Sequence, residues 1–270
     1  MATKNYEGLK FNKEVVDKIV DSLTEEQALQ IKINDTAFTI SMRTPGEDVH
    51  LIRGLLHSEG IINDRKFIPD FHFEPQEEMQ AKTIVNVLIP KEKIGLAYSN
   101  SRSLLSVSSC GICGKTSLEE IETGDNKLND ENKIDINLIH QLFKQMQNKQ
   151  LDFQQSGGTH AAAAFSLNGN MLCSMEDIGR HNAVDKVIGK LIFENKLKEA
   201  KIITVSGRIS YEIVIKCFKA GIPFLAAVSA PSSLAVDYAK ELGITLFAFC
   251  RESRATCYSN PQQTLRIFHK

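Results

Sequence analysis

Hydrophobic and polar positions alternate through much of the first hundred residues and then change period. Residues 29–34 (Leu-Gln-Ile-Lys-Ile-Asn) alternate strictly, Asn34-Asp35 supplies a turn, and residues 37–42 answer as a hairpin partner. Between residues 46 and 59, Val49, Leu51, Ile52, Leu55 and Leu56 are spaced along one face of a helix. Residues 83–89 read as a further strand, stopped by Pro90.

After residue 134 the pattern becomes regular. Leu138, Ile139, Leu142, Phe143 and Met146 share a helical face. Residues 161–167 and 171–175 flank Asn168-Gly169, a strong hairpin signal. Val184, Val187, Ile188 and Leu191 then mark a helix over about 181–195, followed by a strand at 202–206 and a helix at 210–220. Gly221 offers that helix a left-handed stop. A strand at 224–228, a helix at 232–242 closed by Gly243 and a strand at 244–250 complete the series. Short apolar strands alternating with helices predict a layered α/β domain over 134–270, with parallel strands in its C-terminal part. The first hundred residues, strand-rich with one helix, predict a smaller α+β domain over 1–105.

Residues 99–133 break the pattern with small, polar and charged residues, and the stretch 106–133 reads as a mobile linker. It carries Cys110-Gly-Ile-Cys113, the one close pair among six cysteines. No internal repeat interrupts this plan. Of the 270 residues, 42% are hydrophobic, enough for a substantial core. Lys and Arg total 32 against 33 for Asp and Glu, a net charge of −1 that gives no global field for nucleic acid or an anionic membrane. No apolar run is long enough to span a bilayer, and the first residues lack the apolar core of a signal peptide. The expectation is a cytoplasmic protein with reduced thiols.

A Cys-x-x-Cys pair can bind zinc, exchange as a dithiol, or carry a persulfide. Structural zinc needs four ligands, and no second pair of matching spacing occurs. A thioredoxin-like dithiol needs its first cysteine at a strand-to-helix junction, not in a linker. A persulfide carrier needs a reachable thiolate with small neighbours. Ser108, Ser109, Gly111 and Gly114 provide access, and Lys115 favours the thiolate. Two ordinary exposed thiols remain the plain alternative.

Ligands of parallel sheets gather at the strand carboxyl ends. Those ends carry Ser206-Gly-Arg208, residues 229–233 and residues 250–254, and Gly179-Arg180 enters a helix nearby. His160 follows a Gly-Gly turn and opens a strand of small residues. Arginines there suit an anionic ligand such as a nucleotide, although tight turns, helix capping and a satisfied polar histidine would leave the same traces. No Gly-x₄-Gly-Lys loop or Gly-x-Gly-x-x-Gly fingerprint is present, which disfavours ATP hydrolysis and ordinary dinucleotide chemistry.

Taken together, residues 55–62, Ser109-Cys-Gly-Ile-Cys-Gly114, Ser156-Gly-Gly-Thr-His-Ala-Ala-Ala, the 176–186 stretch Glu-Asp-Ile-Gly-Arg-His-Asn-Ala-Val-Asp-Lys, Ser206-Gly-Arg-Ile-Ser-Tyr-Glu, Ala227-Val-Ser-Ala and Arg254-Ala-Thr run in one familiar order. The chain resembles the FdhD/NarQ family of formate dehydrogenase accessory sulfurtransferases. The resemblance implies that sulfur passes from a cysteine desulfurase to a molybdenum–bis(molybdopterin guanine dinucleotide) cofactor bound as substrate, with no permanent cofactor or metal. It also implies a homodimer, the formate dehydrogenase catalytic subunit as a partner, and a three-layer cytidine-deaminase-like C-terminal domain. By the same resemblance Cys110 bears the sulfur, and the cofactor-binding stretch is Phe249, Cys250, Arg251, Glu252, Ser253 and Arg254. Some members carry Pro-Gly where this chain has Glu252-Ser253. With them the expected crevice gathers His160, Arg180, His181, Ser206 and Arg208 around the guanine dinucleotide ends, while Cys113 assists release. The His-x-Glu and Pro-Cys-x-x-Cys order of zinc deaminases is missing, so no deaminase zinc site is expected. Two rival classes stay open: a cofactor-binding chaperone that moves no sulfur, and a thiol oxidoreductase.

Overall fold

Asn34 and Asp35 both adopt positive φ, 48° and 65°, so the turn of the expected hairpin has the backbone twist that strand pairing favours. In this computed structural model, residues 2–13, 15–75, 82–100, 127–251 and 254–265 are described. The hairpin joins β3 (Gln27–Ile33) to β4 (Thr36–Arg43), and β6 (Lys82–Leu88) runs parallel to β3 with β5 (Asp70–Phe73) on its far side. Asn34 fastens the hairpin to the end of β6. Its side-chain amide donates to the Ile89 carbonyl at 2.8 Å, and its side-chain oxygen accepts the Ile89 N–H at 2.9 Å.

Helix α1 (Asp48–Ser58) lays Leu51, Ile52 and Leu56 on Leu29, Ile31, Val85 and Val87 of this sheet, forming the smaller core. Arg43 at the end of β4 is almost fully buried. It donates to both carboxylate oxygens of Asp48 at 2.8 and 2.9 Å, and to the Thr83 hydroxyl at 2.9 Å.

After the short helix α2 (Ala97–Asn100) and strand β7 (Ile134–Asp135), the larger body holds a six-stranded sheet in the order β13-β12-β11-β10-β8-β9. Its strands are β8 (His160–Phe165), β9 (Met171–Asp177), β10 (Ile202–Val205), β11 (Phe224–Ala227), β12 (Thr245–Arg251) and β13 (Arg254–Cys257). β10, β11 and β12 are parallel, as the alternation of strands and helices predicts. The Asn168-Gly169 turn, with Gly169 at φ 82°, makes β8 and β9 antiparallel. One face packs on α5 (Arg180–Phe193), α6 (Tyr211–Ala220) and α7 (Ser233–Leu242) through Ala162, Ile203, Leu225 and Leu246. The other face packs on α3 (Ile136–Gln147) through Ala163, Ile202, Phe224 and Phe247. Helices therefore cover both faces of a mixed sheet.

The two bodies meet where α1 crosses α5. A Cβ placed on Gly54 would lie 1.9 Å from the Asp185 carbonyl oxygen, and one on Gly189 would lie 1.8 Å from that of His50. The two backbones touch, and only glycine allows it. A buried ion pair ties the seam from a third side. Lys216 of α6 reaches Asp185 of α5 at 2.7 Å, and the Ser58 hydroxyl of α1 donates to the same carboxylate at 2.8 Å.

Three features depart from the pattern-based plan. Residues Thr3–Asn12 (β1) and Val15–Thr24 (β2) form a ten-residue antiparallel ribbon that pairs with no other strand among the described residues. A short helix, α4 (Leu151–Ser156), stands against its root. Residues 127–133 do not swing free: Leu128 packs on the larger core and donates its N–H to the Leu242 carbonyl, while Asp130 pairs with Lys201 at 3.3 Å. Cys110 and Cys113, with the rest of the expected linker, lie outside the described residues.

Candidate anion-binding site

The sheet topology gathers the expected site at one edge. β10, β11 and β12 all end there. β8 is antiparallel to β10 and so begins there with His160, and β9 ends there with Asp177 before the turn into α5. The ends of β10 and β12 are two strands apart, roughly 10 Å.

His160, Arg180 and the 206–208 corner meet around Gly207. A Cβ on Gly207 would lie 3.2 Å from His160 Nδ1 and 3.6 Å from Arg180 Cβ, so a larger residue would crowd the ring. Burial, and then the charges of Arg180 and Arg208, hold the His160 imidazole below its ordinary range, while Asp177 opposes them. Arg180 Nε is buried without a hydrogen-bond partner among the described residues. A buried, unsatisfied cationic donor is costly unless a ligand completes it. Arg208 is exposed nearby.

The start of α5 is built by Asp177. This fully buried carboxylate accepts the Gly179 N–H at 2.8 Å and the Asn182 amide at 3.0 Å. It also pairs with buried Lys186 at 2.8 Å and accepts the Thr44 N–H at 3.2 Å. Lys186 cancels its charge, so the edge keeps its positive character. Sequence reading took this stretch for ligand contacts and helix capping. The lysine nine residues on, whose pair with Asp177 is one of two fully internal ion pairs among the described residues, was the available signal for a deeper role.

Farther along the edge, Arg251 and Arg254 face each other across β12 and β13. Like charges directly opposite are unfavourable without an anion between them. Arg251 Nε also donates to the Val228 carbonyl at 3.3 Å. Phe249 holds a positive φ of 53° and is itself 45% exposed. Such a backbone is strained for an aromatic residue, and strain of this kind gathers at ligand sites.

Other expected ligands are turned elsewhere. The Ser206 hydroxyl accepts the Ala161 N–H at 2.9 Å, extending the β8–β10 ladder. His181 faces α6, with Nε2 2.8 Å from the Ser210 hydroxyl and 3.1 Å from the Glu212 carboxylate. The Cys250 side chain points into the core beside Phe247, and burial pushes its thiol up to about 12. Glu252 and Ser253 lie outside the described residues.

Burial likewise pushes the Cys173 and Cys217 thiols up to about 12 and raises that of Cys257. None of these four thiols is a ready nucleophile. Among the described residues no group of three or more His, Cys, Asp or Glu side chains is placed to hold a metal ion. No helix among them is long and apolar enough to cross a membrane.

Comparison with known proteins identifies the family. The chain is 39% identical over 253 residues to the sulfur carrier protein FdhD of Picrophilus torridus, covering 92% of this chain and 93% of that one. It is 40% identical over 245 residues to the protein of that name from Mycolicibacterium paratuberculosis, covering 88% and 90%. Its fold matches a crystal structure assigned as a formate dehydrogenase accessory protein from Desulfotalea psychrophila. The TM-score is 0.75 at 21% identity, across 98% of this chain and all of that one. The FdhD/NarQ family model matches residues 24–265, nearly the whole chain and every element of the arginine-lined edge. This chain belongs to the FdhD/NarQ family.

Proposed function

We propose that this protein is a sulfur carrier acting in formate dehydrogenase maturation. It takes sulfur from a cysteine desulfurase on Cys110 and delivers it to a molybdenum–bis(molybdopterin guanine dinucleotide) substrate held at the arginine-lined edge. The observation that carries the reading is that edge: Arg180, Arg208, Arg251 and Arg254 line it, the buried Asp177 carboxylate is paired with Lys186, and the Glu212 carboxylate lies 3.1 Å from His181 Nε2. Such a surface suits the pyrophosphates of the dinucleotide ends, and the exposed Phe249 offers an aromatic face for a base. Membership of a family whose curated relatives are named sulfur carriers supplies the reaction class.

The sulfur step balances without an added oxidant. The Cys110 thiolate attacks the outer sulfur of the desulfurase persulfide; a new S–S bond forms, the old one breaks, and the desulfurase cysteine leaves as a thiolate. Cys113 then attacks Cys110 Sγ. The terminal sulfur leaves as sulfide to the substrate, and a Cys110–Cys113 disulfide remains for a cellular dithiol to reduce. The four described thiols, raised by burial, do not compete at the first step.

Incubation with a cysteine desulfurase and cysteine, followed by intact mass measurement before and after reductant, tests the carrier. The expected result is a reducible gain of one sulfur that maps to Cys110. No gain beside a competent desulfurase would leave a cofactor-binding chaperone. The ligand edge has its own test: Arg208→Ala should weaken GDP binding about 10-fold or more in titration calorimetry, from loss of one charge-assisted bond. Unchanged affinity would remove the edge from the proposal.

A further inference from the structure

The turn that presents Arg180 is held from the smaller body. Thr44 lies between the end of β4 and the start of α1, is 2% exposed, and is bonded three times to the chain around the start of α5. Its hydroxyl accepts the Ile178 N–H at 3.0 Å, its own N–H donates to Asp177 Oδ2 at 3.2 Å, and its carbonyl accepts from Lys186 Nζ at 3.0 Å. Lys186 directs its remaining hydrogens to Asp177 Oδ2 at 2.8 Å and the Glu176 carbonyl at 3.3 Å, so its three donors are all engaged. Beside them the Asn182 amide donates to the Met42 carbonyl at 2.8 Å, and its side-chain oxygen accepts the Ser41 hydroxyl at 3.3 Å.

We propose that Thr44 is a positioning residue for the anion site, fixing the 177–179 turn from the smaller body and, through that turn, the place of Arg180. Thr44 is a firm support. Arg43 before it is fastened to Asp48 and Thr83, and Pro45 after it restricts its backbone to extended conformations. The two N–H groups that precede Arg180 both depend on it. That of Ile178 ends on the Thr44 hydroxyl, and that of Gly179 ends on Asp177, the carboxylate that Thr44 also binds. Without the hydroxyl the Ile178 N–H loses its acceptor and the turn is free to shift. Arg180 has little to hold it in place otherwise, because its Nε is buried without a hydrogen-bond partner among the described residues.

Buried as it is, Thr44 cannot touch a ligand, so any effect it has on binding travels through the turn. This role for Thr44 rests on the reading of the arginine-lined edge as an anion site.

Titration calorimetry with GDP on the full chain tests it. Thr44→Val keeps a branched side chain and removes the acceptor; it should weaken binding about 5-fold, the scale of one net hydrogen bond. Thr44→Ser, which keeps the hydroxyl, should bind as wild type does. A Thr44→Val protein that melts earlier yet binds GDP with wild-type affinity overturns the positioning role and leaves the site standing, as does a Thr44→Ser protein as weak as Thr44→Val. A wild type that does not bind GDP overturns the site itself, and the role of Thr44 with it. Should Thr44→Val fail to fold, hydrogen exchange on the unaltered protein decides. Coupling is reciprocal, so saturating GDP should slow exchange of the Thr44 and Ile178 amides by about 5-fold, and unchanged exchange would overturn the inference.

Discussion

His57 sits at the seam between the two bodies, 5% exposed, with Nε2 3.1 Å from the Lys219 carbonyl oxygen. Burial is the largest cause lowering its pKa from 6.5 to about 4, and the charges of Arg53 and Arg65 add to it. The Lys219 carbonyl, and after it the backbone at Ile62, opposes them in part. The folded protein therefore keeps His57 neutral where the unfolded chain protonates it. Between pH 6.5 and about 4 the unfolded state binds more protons, so stability rises with pH in that window. The contribution is present in full above pH 6.5 and is lost as pH falls. Lowering the pKa from 6.5 to about 4 gives a loss of about 3 kcal/mol by pH 4, and about 1.4 kcal/mol by pH 5.5. His57→Gln keeps a donor near the Lys219 carbonyl and removes the titration. Urea unfolding of both proteins at pH 7.5, 6.5, 5.5 and 4.5 isolates the difference from carboxylates common to both. The wild type should lose about 1.4 kcal/mol more than the variant between pH 7.5 and 5.5. Parallel curves, or a His57 resonance titrating near 6.5 in the folded protein, would refute the reasoning.

Two further perturbations probe the seam and the site. Gly189→Ala should lower stability by roughly 2 kcal/mol despite its better helix propensity, because its methyl meets the His50 carbonyl; a raised melting temperature would contradict the close crossing. GDP should bind more tightly as pH falls below neutral. His160 is held neutral by burial and two arginines, a bound phosphate would favour its charged form, and binding would then take up a proton. Calorimetry in buffers of different ionisation enthalpy reads that uptake, and none at pH 6 would remove His160 from the ligand contact.

Much of the larger body is legible in the sequence because its elements obey local rules. Gly221 and Gly243 end α6 and α7 at φ 75° and 76°, where the pattern expects them. The small residues of β8 let that strand pack on both faces, so its carboxylate-rich neighbour β9 and the α5 start follow at once. The ribbon resists such reading because its apolar residues lie on both faces and blur a period of two. Ion pairs such as Lys216–Asp185 and Arg43–Asp48 depend on tertiary geometry, which local periodicity does not encode. In the site, the clustering of arginines at strand ends is a local signal, and the topology brings those ends to one edge of the sheet. The orientation of His181 toward Ser210 and Glu212, and of Cys250 into the core, is set by neighbours distant in sequence or by strand pleat.

The buried thiols have a consequence for traffic through this protein. A thiol with a pKa near 12 is ionised about once in 10⁵ molecules at pH 7, against a few in a hundred for an ordinary cysteine. Peroxide, disulfides and persulfide donors all react with the thiolate, so Cys173, Cys217 and Cys250 are silent to them by roughly three orders of magnitude. A sulfur atom or an oxidising equivalent arriving at this chain is thereby kept from being parked in its core.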